Sequence, residues 1–102
     1  MKRSLRLLST LIFVVFFGIN SIAQCTYSIT LLDDYGDGWN GGKVTVFVNG
    51  TAVLTDITEA AAGPTIFTFQ VSTGDDVTTT YTAGSWSDEN YYNIKDPAGV
   101  IL

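Results

Sequence analysis

The sequence predicts an all-β fold: a small antiparallel β-sandwich of six to seven strands, preceded by a signal peptide. Three observations predict it. Apolar residues alternate with polar ones over short runs, and nowhere after residue 23 do they recur at helical spacing over a dozen positions. Those runs are rich in Thr, Val, Ile and aromatic residues, which suit a pleated, half-buried surface. Turn signals built from Gly, Asn and Asp separate them at short intervals.

The amino terminus reads as a leader. Lys2, Arg3 and Arg6 precede an uncharged run, "LLSTLIFVVFFGI", and Ser21-Ile22-Ala23 supplies small residues for cleavage after Ala23. As a helix that run reaches about 20 Å, short of the roughly 30 Å hydrocarbon core, so export is expected rather than anchoring. The division is thus 1–23 signal peptide and 24–102 β-sandwich module. Gln24, not a small residue, stands before Cys25, which argues against acylation there. Cys25 has no second cysteine in the chain to pair with, so no internal disulfide staples this small domain.

The mature segment keeps all ten acids but only two bases, Lys43 and Lys95. That balance argues against nucleic acid, whose phosphates call for Lys and Arg, and against an anionic membrane surface. No stable membrane insertion is expected after cleavage of the leader. The charge suits an extracellular domain, or one that neutralises itself with a cation.

The elements follow in order. "TYSITLL" (26–32) alternates Tyr27, Ile29 and Leu31 against Thr26, Ser28 and Thr30. "KVTVFVN" (43–49) turns Val44, Val46 and Val48 to one face, and Asn49-Gly50 is a hairpin signal leading into "TAVLTDI" (51–57). "TEAAAGP" (58–64) is a loop, closed by Gly63-Pro64. "TIFTFQV" (65–71) places Phe67, Phe69 and Val71 together, and "VTTTYTA" (77–83) does so for Val77, Thr79, Tyr81 and Ala83. The polar loop "GSWSDEN" precedes "YYNIK" (91–95), where Tyr91 and Tyr92 point to opposite faces. A turn at 96–99 then leads into "VIL".

The chemistry concentrates in "LLDDYGDGWNGGKV" (31–44). Asp33, Asp34, Asp37 and Asn40 offer oxygen ligands, and the glycines let the backbone fold back on itself. Calcium takes six to eight oxygens, and without a cation the three Asp side chains repel by roughly 1 kcal/mol per pair near 4 Å in water. The loop is not an EF-hand: Tyr35 and Val44 occupy the third and twelfth positions, where an acid and a bidentate Glu belong. A further ligand must come from elsewhere; the other acid-rich loop, "SDEN", is the natural source, and Glu89 is its longer carboxylate. Ordinary Asp-Gly and Asn-Gly turn chemistry accounts for the same residues without an ion, and that alternative stays open. Magnesium suits the loop less well, since it tends to keep its water.

Trp39 and Trp86 are the candidate ligand-binding residues, because an exposed Trp stacks on a sugar ring or a partner surface. For Trp39, flanked by glycines, the alternative is a lid over the end of the core. Trp86 has polar neighbours in Ser85, Ser87 and Asp88.

"CTYSITLLDDYGDGWNGGKVTVFVNG" resembles a module of secreted and surface proteins of gram-negative bacteria that use type IX secretion. That pattern runs Cys, an alternating strand, Asp-x-Tyr-Gly-Asp-Gly-Trp-Asn-Gly, then a Val/Thr strand ending Asn-Gly. "GSWSDENYYNIKDPAGVI" resembles its later segment, with a Glu, an aromatic strand and an Asp-x-x-Gly turn. The resemblance implies a jelly-roll-like or CUB-like sandwich, stabilised by calcium and serving adhesion or recognition. It also implies metal roles for Asp33, Asp37 and Glu89. Asp34 stands where the module carries a neutral polar residue.

The expected function is an exported, non-catalytic, calcium-stabilised module for adhesion or for recognition of a glycan or surface protein, at the cell surface or secreted. The alternative is a structural spacer, or an amino-terminal fragment of a larger multidomain surface protein. An enzyme is not expected: the chain has no His, and its Ser residues have no evident base. A glycosidase-like carboxylate pair, Asp37 with Glu89, is the one catalytic arrangement conceivable, but a Gly-rich acidic loop suits an ion better.

Overall fold

In the computed structural model, residues 23–102 are described. The proposed leader, apart from Ala23, lies outside the described residues. Six strands form: β1 (Gln24–Asp33), β2 (Lys43–Val48), β3 (Thr51–Ile57), β4 (Thr65–Ser72), β5 (Val77–Thr82) and β6 (Asn90–Lys95). A single 3-10 turn, Ser87–Glu89, precedes β6. They assemble into two three-stranded antiparallel sheets, ordered β4-β1-β6 and β3-β2-β5. The fold is therefore the expected small all-β sandwich. The final "VIL" adds only an isolated bridge, Lys95 to Ile101, and not a seventh strand. Among the described residues, no helix is long and apolar enough to cross a membrane.

Alternation builds the core. Ile29 and Leu31 on β1, Val44, Val46 and Val48 on β2, and Phe69 and Val71 on β4 are all buried. The central strands β1 and β2 thus supply most of the buried aliphatic residues, and each is flanked by two partners that exclude water. Tyr27, Leu54, Ile57, Phe67, Val77, Tyr92 and Ile94 pack around this cluster. Tyr92 faces inward while Tyr91 is exposed, as strand alternation requires.

The β2–β3 hairpin turns on Asn49 (φ 53°) and Gly50 (φ 81°). Both residues adopt the left-handed conformation that this two-residue turn demands. Its tip is tied to the β4–β5 turn: Asn49 Nδ2 donates to Asp75 Oδ1 at 2.8 Å, and Asp76 N donates to Asn49 Oδ1 at 2.9 Å.

Register places the remaining loops. Asp33 pairs with Asn90, Leu31 with Thr65, Lys43 with Thr82 and Val44 with Ile57. The connections 34–42, 58–64 and 83–89 therefore gather at one pole, opposite the Asn49-Gly50 tip. The loops around Asp33, Asp34 and Asp37 and around Asp88 and Glu89 both lie at that pole.

Candidate metal centre

β1 carries its inward phase one step past the core. Tyr27, Ile29 and Leu31 are followed on the same face by Asp33, which is only 9% exposed. A carboxylate taken this far from water needs compensation. One oxygen has it: Asp33 Oδ2 accepts hydrogen bonds from the amides of Gly38 (2.7 Å) and Gly36 (3.0 Å). These bonds curl the chain back over Asp33, and Gly36 (φ 89°) and Gly38 (φ 92°) supply the backbone angles that the curl demands. The other oxygen, Asp33 Oδ1, is buried and has no hydrogen-bond partner.

The curl presents Asp37. From the other side comes Glu89, at the end of the 3-10 turn, held because Asp34 N donates to Glu89 O at 2.9 Å beside the Asp33–Asn90 pair. Asp33, Asp37 and Glu89 then each offer a carboxylate oxygen within 4.8 Å of the others. Ligands on opposite sides of one calcium, at roughly 2.4 Å each, stand about that far apart. The oxygens fit a single cation, and the unpartnered Asp33 Oδ1 is the group a cation would satisfy. The electrostatics agree. Partial desolvation raises the Glu89 carboxyl above its ordinary value of 4.5, and the negative charges of Asp37, Asp88, Asp33 and Asp34 push it the same way.

Two other expected ligands, Asp34 and Asn40, are placed differently. Asp34, just past the end of β1, is exposed; it engages the Tyr91 phenol, which is raised above 10.0 first by that hydrogen bond and then by the charge of Asp34. Asn40 turns its amide nitrogen toward Asp37 (3.4 Å) and the Gly38 carbonyl (3.2 Å). It thus presents a donor, not the oxygen a cation needs.

Trp39 is not a ligand-stacking residue. It is fully buried, its indole N–H donates to the Leu32 carbonyl at 2.8 Å, and Tyr81 meets it edge-on at 5.8 Å. It plugs the space between the two sheets at this pole, the lid role, because the glycines on either side let the chain dip inward. Trp86 is the opposite case. It is 68% exposed and, with Tyr35, Asp37 and Glu89, lines a cleft of about 300 Å³ beside the acidic trio.

Glu59 belongs to no motif in the sequence, yet it takes part in this pole. It is 3% exposed, accepts from Thr65 Oγ1 at 2.7 Å, and its backbone carbonyl takes the amide of Trp39 at 2.9 Å. It locks the 58–64 loop under the acidic loop. A Cβ on Gly38 would meet the Glu59 and Ala60 carbonyls at 2.9 Å, which shows how closely the two loops pass. A lone carboxylate in an otherwise small loop is visible in the sequence, but nothing in that pattern shows it to be buried. Tyr35, which breaks the EF-hand pattern and fits the Asp-x-Tyr-Gly pattern, lies between Asp33 and Asp37 and lines the cleft.

Fold and site together define a small all-β sandwich with three carboxylates converging at one pole. Compared with known proteins, the chain matches no family model, no curated protein and no solved structure.

Proposed function

We propose that the chain is an exported, non-catalytic β-sandwich module that binds calcium at Asp33, Asp37 and Glu89 and serves adhesion, or recognition of a glycan or partner, at the cell surface. The observation that carries the reading is the convergence, from two distant loops, of those three carboxylates, one of which, Asp33, has a buried oxygen that lacks a partner. Calcium is favoured over magnesium because protein carboxylates supply the site, whereas magnesium holds its waters in a strict octahedron. The ion neutralises charge that otherwise repels, and joins the β1–β2 loop to the β5–β6 loop. Export rests on the leader-like residues 1–23, and the surface role on the resemblance of Cys25–Gly50 to a module of secreted and surface proteins. Among the described residues no disulfide staples the sandwich, since Cys25 is free.

Thermal unfolding of the mature protein in calcium and in chelator tests the reading. A rise of several degrees with calcium, lost in Asp37→Ala, is expected from ligand linkage. Superimposable curves would reduce the loop to turn chemistry.

A further inference from the structure

The turn that holds Glu89 also fixes Trp86. Glu89 N donates to the Trp86 carbonyl at 3.0 Å, and Trp86 itself is left-handed, at φ 58° and ψ 36°. A bulky residue in that region is a strained outlier, and such strain persists where surrounding structure imposes it. Here the ring is 68% exposed, so burial of the indole does not offset the strain. Tyr35 is 75% exposed in the facing loop. Two wet aromatic rings, each tied to a loop that supplies a cluster carboxylate, thus share a cleft of about 300 Å³ with Asp37 and Glu89.

Resting on the calcium reading above, we propose that this cleft binds a neutral saccharide, which stacks on Trp86 and Tyr35 and places hydroxyl oxygens on the ion. Calcium takes six to eight oxygens, more than three carboxylates supply one apiece, so positions remain for ligand oxygen. The buried, unpartnered Asp33 Oδ1 anchors the ion from beneath. Charge selects the ligand: three carboxylates exceed the charge of one divalent ion, so the site stays negative and repels sulfated, phosphorylated or uronic ligands. Size selects it too. About 300 Å³ lies at the small end of ligand sites, and two rings fall far short of the roughly 800 Å² per side that a stable protein interface buries. Aromatic faces beside carboxylate acceptors suit a pyranose, which has an apolar face and polar, hydroxyl-bearing edges.

The test is isothermal titration calorimetry of the purified protein with methyl α-mannoside, methyl α-fucoside, methyl α-galactoside and methyl β-glucoside, in calcium and in chelator. Thermal melts of the same samples run alongside. Saturable binding of at least one glycoside in calcium, absent in chelator, is expected. Trp86→Ala should abolish it and Tyr35→Ala should weaken it about tenfold, the equivalent of 1.4 kcal/mol. Both variants should keep the calcium-induced rise in Tm, which separates loss of stacking from loss of the ion. No binding of any of the four by a protein that calcium still stabilises overturns the saccharide proposal and leaves the cation reading standing. Equal binding in chelator overturns the contact with the ion, and tighter binding of methyl glucuronide overturns the charge argument. Absence of any calcium-induced rise overturns the cation reading itself.

Discussion

Asp34 and Glu89 are joined through their backbones, the amide of one donating to the carbonyl of the other at 2.9 Å. That bond extends the β1–β6 ladder one step beyond Asp33 and Asn90, so the Glu89 carboxylate is delivered by sheet register and not by a flexible loop. The acidic trio is therefore organised before any cation arrives. Preorganisation limits the ordering cost of binding and leaves mutual repulsion as the main term an ion relieves.

Repulsion has a pH signature. The Glu89 carboxyl is raised in the folded protein by desolvation first and by its acidic neighbours after that. The folded state thus holds this proton more tightly than the unfolded state does. Its contribution to stability is complete below the ordinary value of 4.5 and disappears as pH climbs through the higher folded value. In chelator, wild type should lose stability relative to Glu89→Gln as pH rises from about 4.5 toward neutrality. Calcium reverses the trend, because it binds the ionised carboxylate, so the stabilisation it confers should grow over the same range. Denaturant titrations of both proteins, with and without calcium, read the two slopes.

Trp39 and Trp86 should respond oppositely to substitution. Trp39→Phe removes part of a fully buried ring and the indole bond to Leu32, and should cost about 2 kcal/mol. Trp86→Gly removes an exposed ring and relieves a left-handed backbone, and should stabilise by about 0.5 kcal/mol once the greater freedom of Gly in the unfolded chain is subtracted. A gain in stability that abolishes saccharide binding is the signature of a residue kept for function. Chemical denaturation of both variants in chelator measures the contrast free of the ion.

Much of this site was legible in the chain, and strand phase explains which part. Ile29 and Leu31 define the inward face of β1, and the same count places Asp33 inward and Asp34 outward; Asp33 is buried and Asp34 exposed. The alternating faces of β2 and β4, and the Asn49-Gly50 turn, follow from equally local rules. Pairing of β1 with both β4 and β6 has no local signature, so only the register brings the two acidic loops together. Glu59 lies in a loop without periodicity, and nothing local marks a carboxylate there as buried. Asn40 carries a ligand-type side chain, yet its orientation depends on the neighbouring Asp37 carboxylate.

Close passage of loops under the site yields another prediction. Gly38 has φ 92°, and a side chain there would press on two carbonyls of the 58–64 loop. Gly38→Ala should therefore destabilise the metal-free protein by about 2 kcal/mol or more, through strain and displacement of that loop. Gly50→Ala is a useful comparison: it has a positive φ of 81° but open space around it, so only the backbone term remains. The difference between the two variants, taken from denaturant midpoints in chelator, measures the loop contact itself.

Asp33 combines two duties that two substitutions can pull apart. Its Oδ2 organises the loop through Gly36 and Gly38, and its Oδ1 awaits a partner. Asp33→Asn retains an acceptor oxygen for the two amides but gives up the charge. It should keep the metal-free fold at wild-type stability or slightly above, because repulsion with Asp37 and Glu89 falls, while calcium stabilisation disappears. Asp33→Ala loses the acceptor as well, leaves the Gly38 amide unpaired, and should cost about 2 kcal/mol even in chelator. Equal stability of the two variants without calcium would show that the loop closes without help from this carboxylate. Calcium stabilisation surviving in Asp33→Asn would show that the ion sits elsewhere.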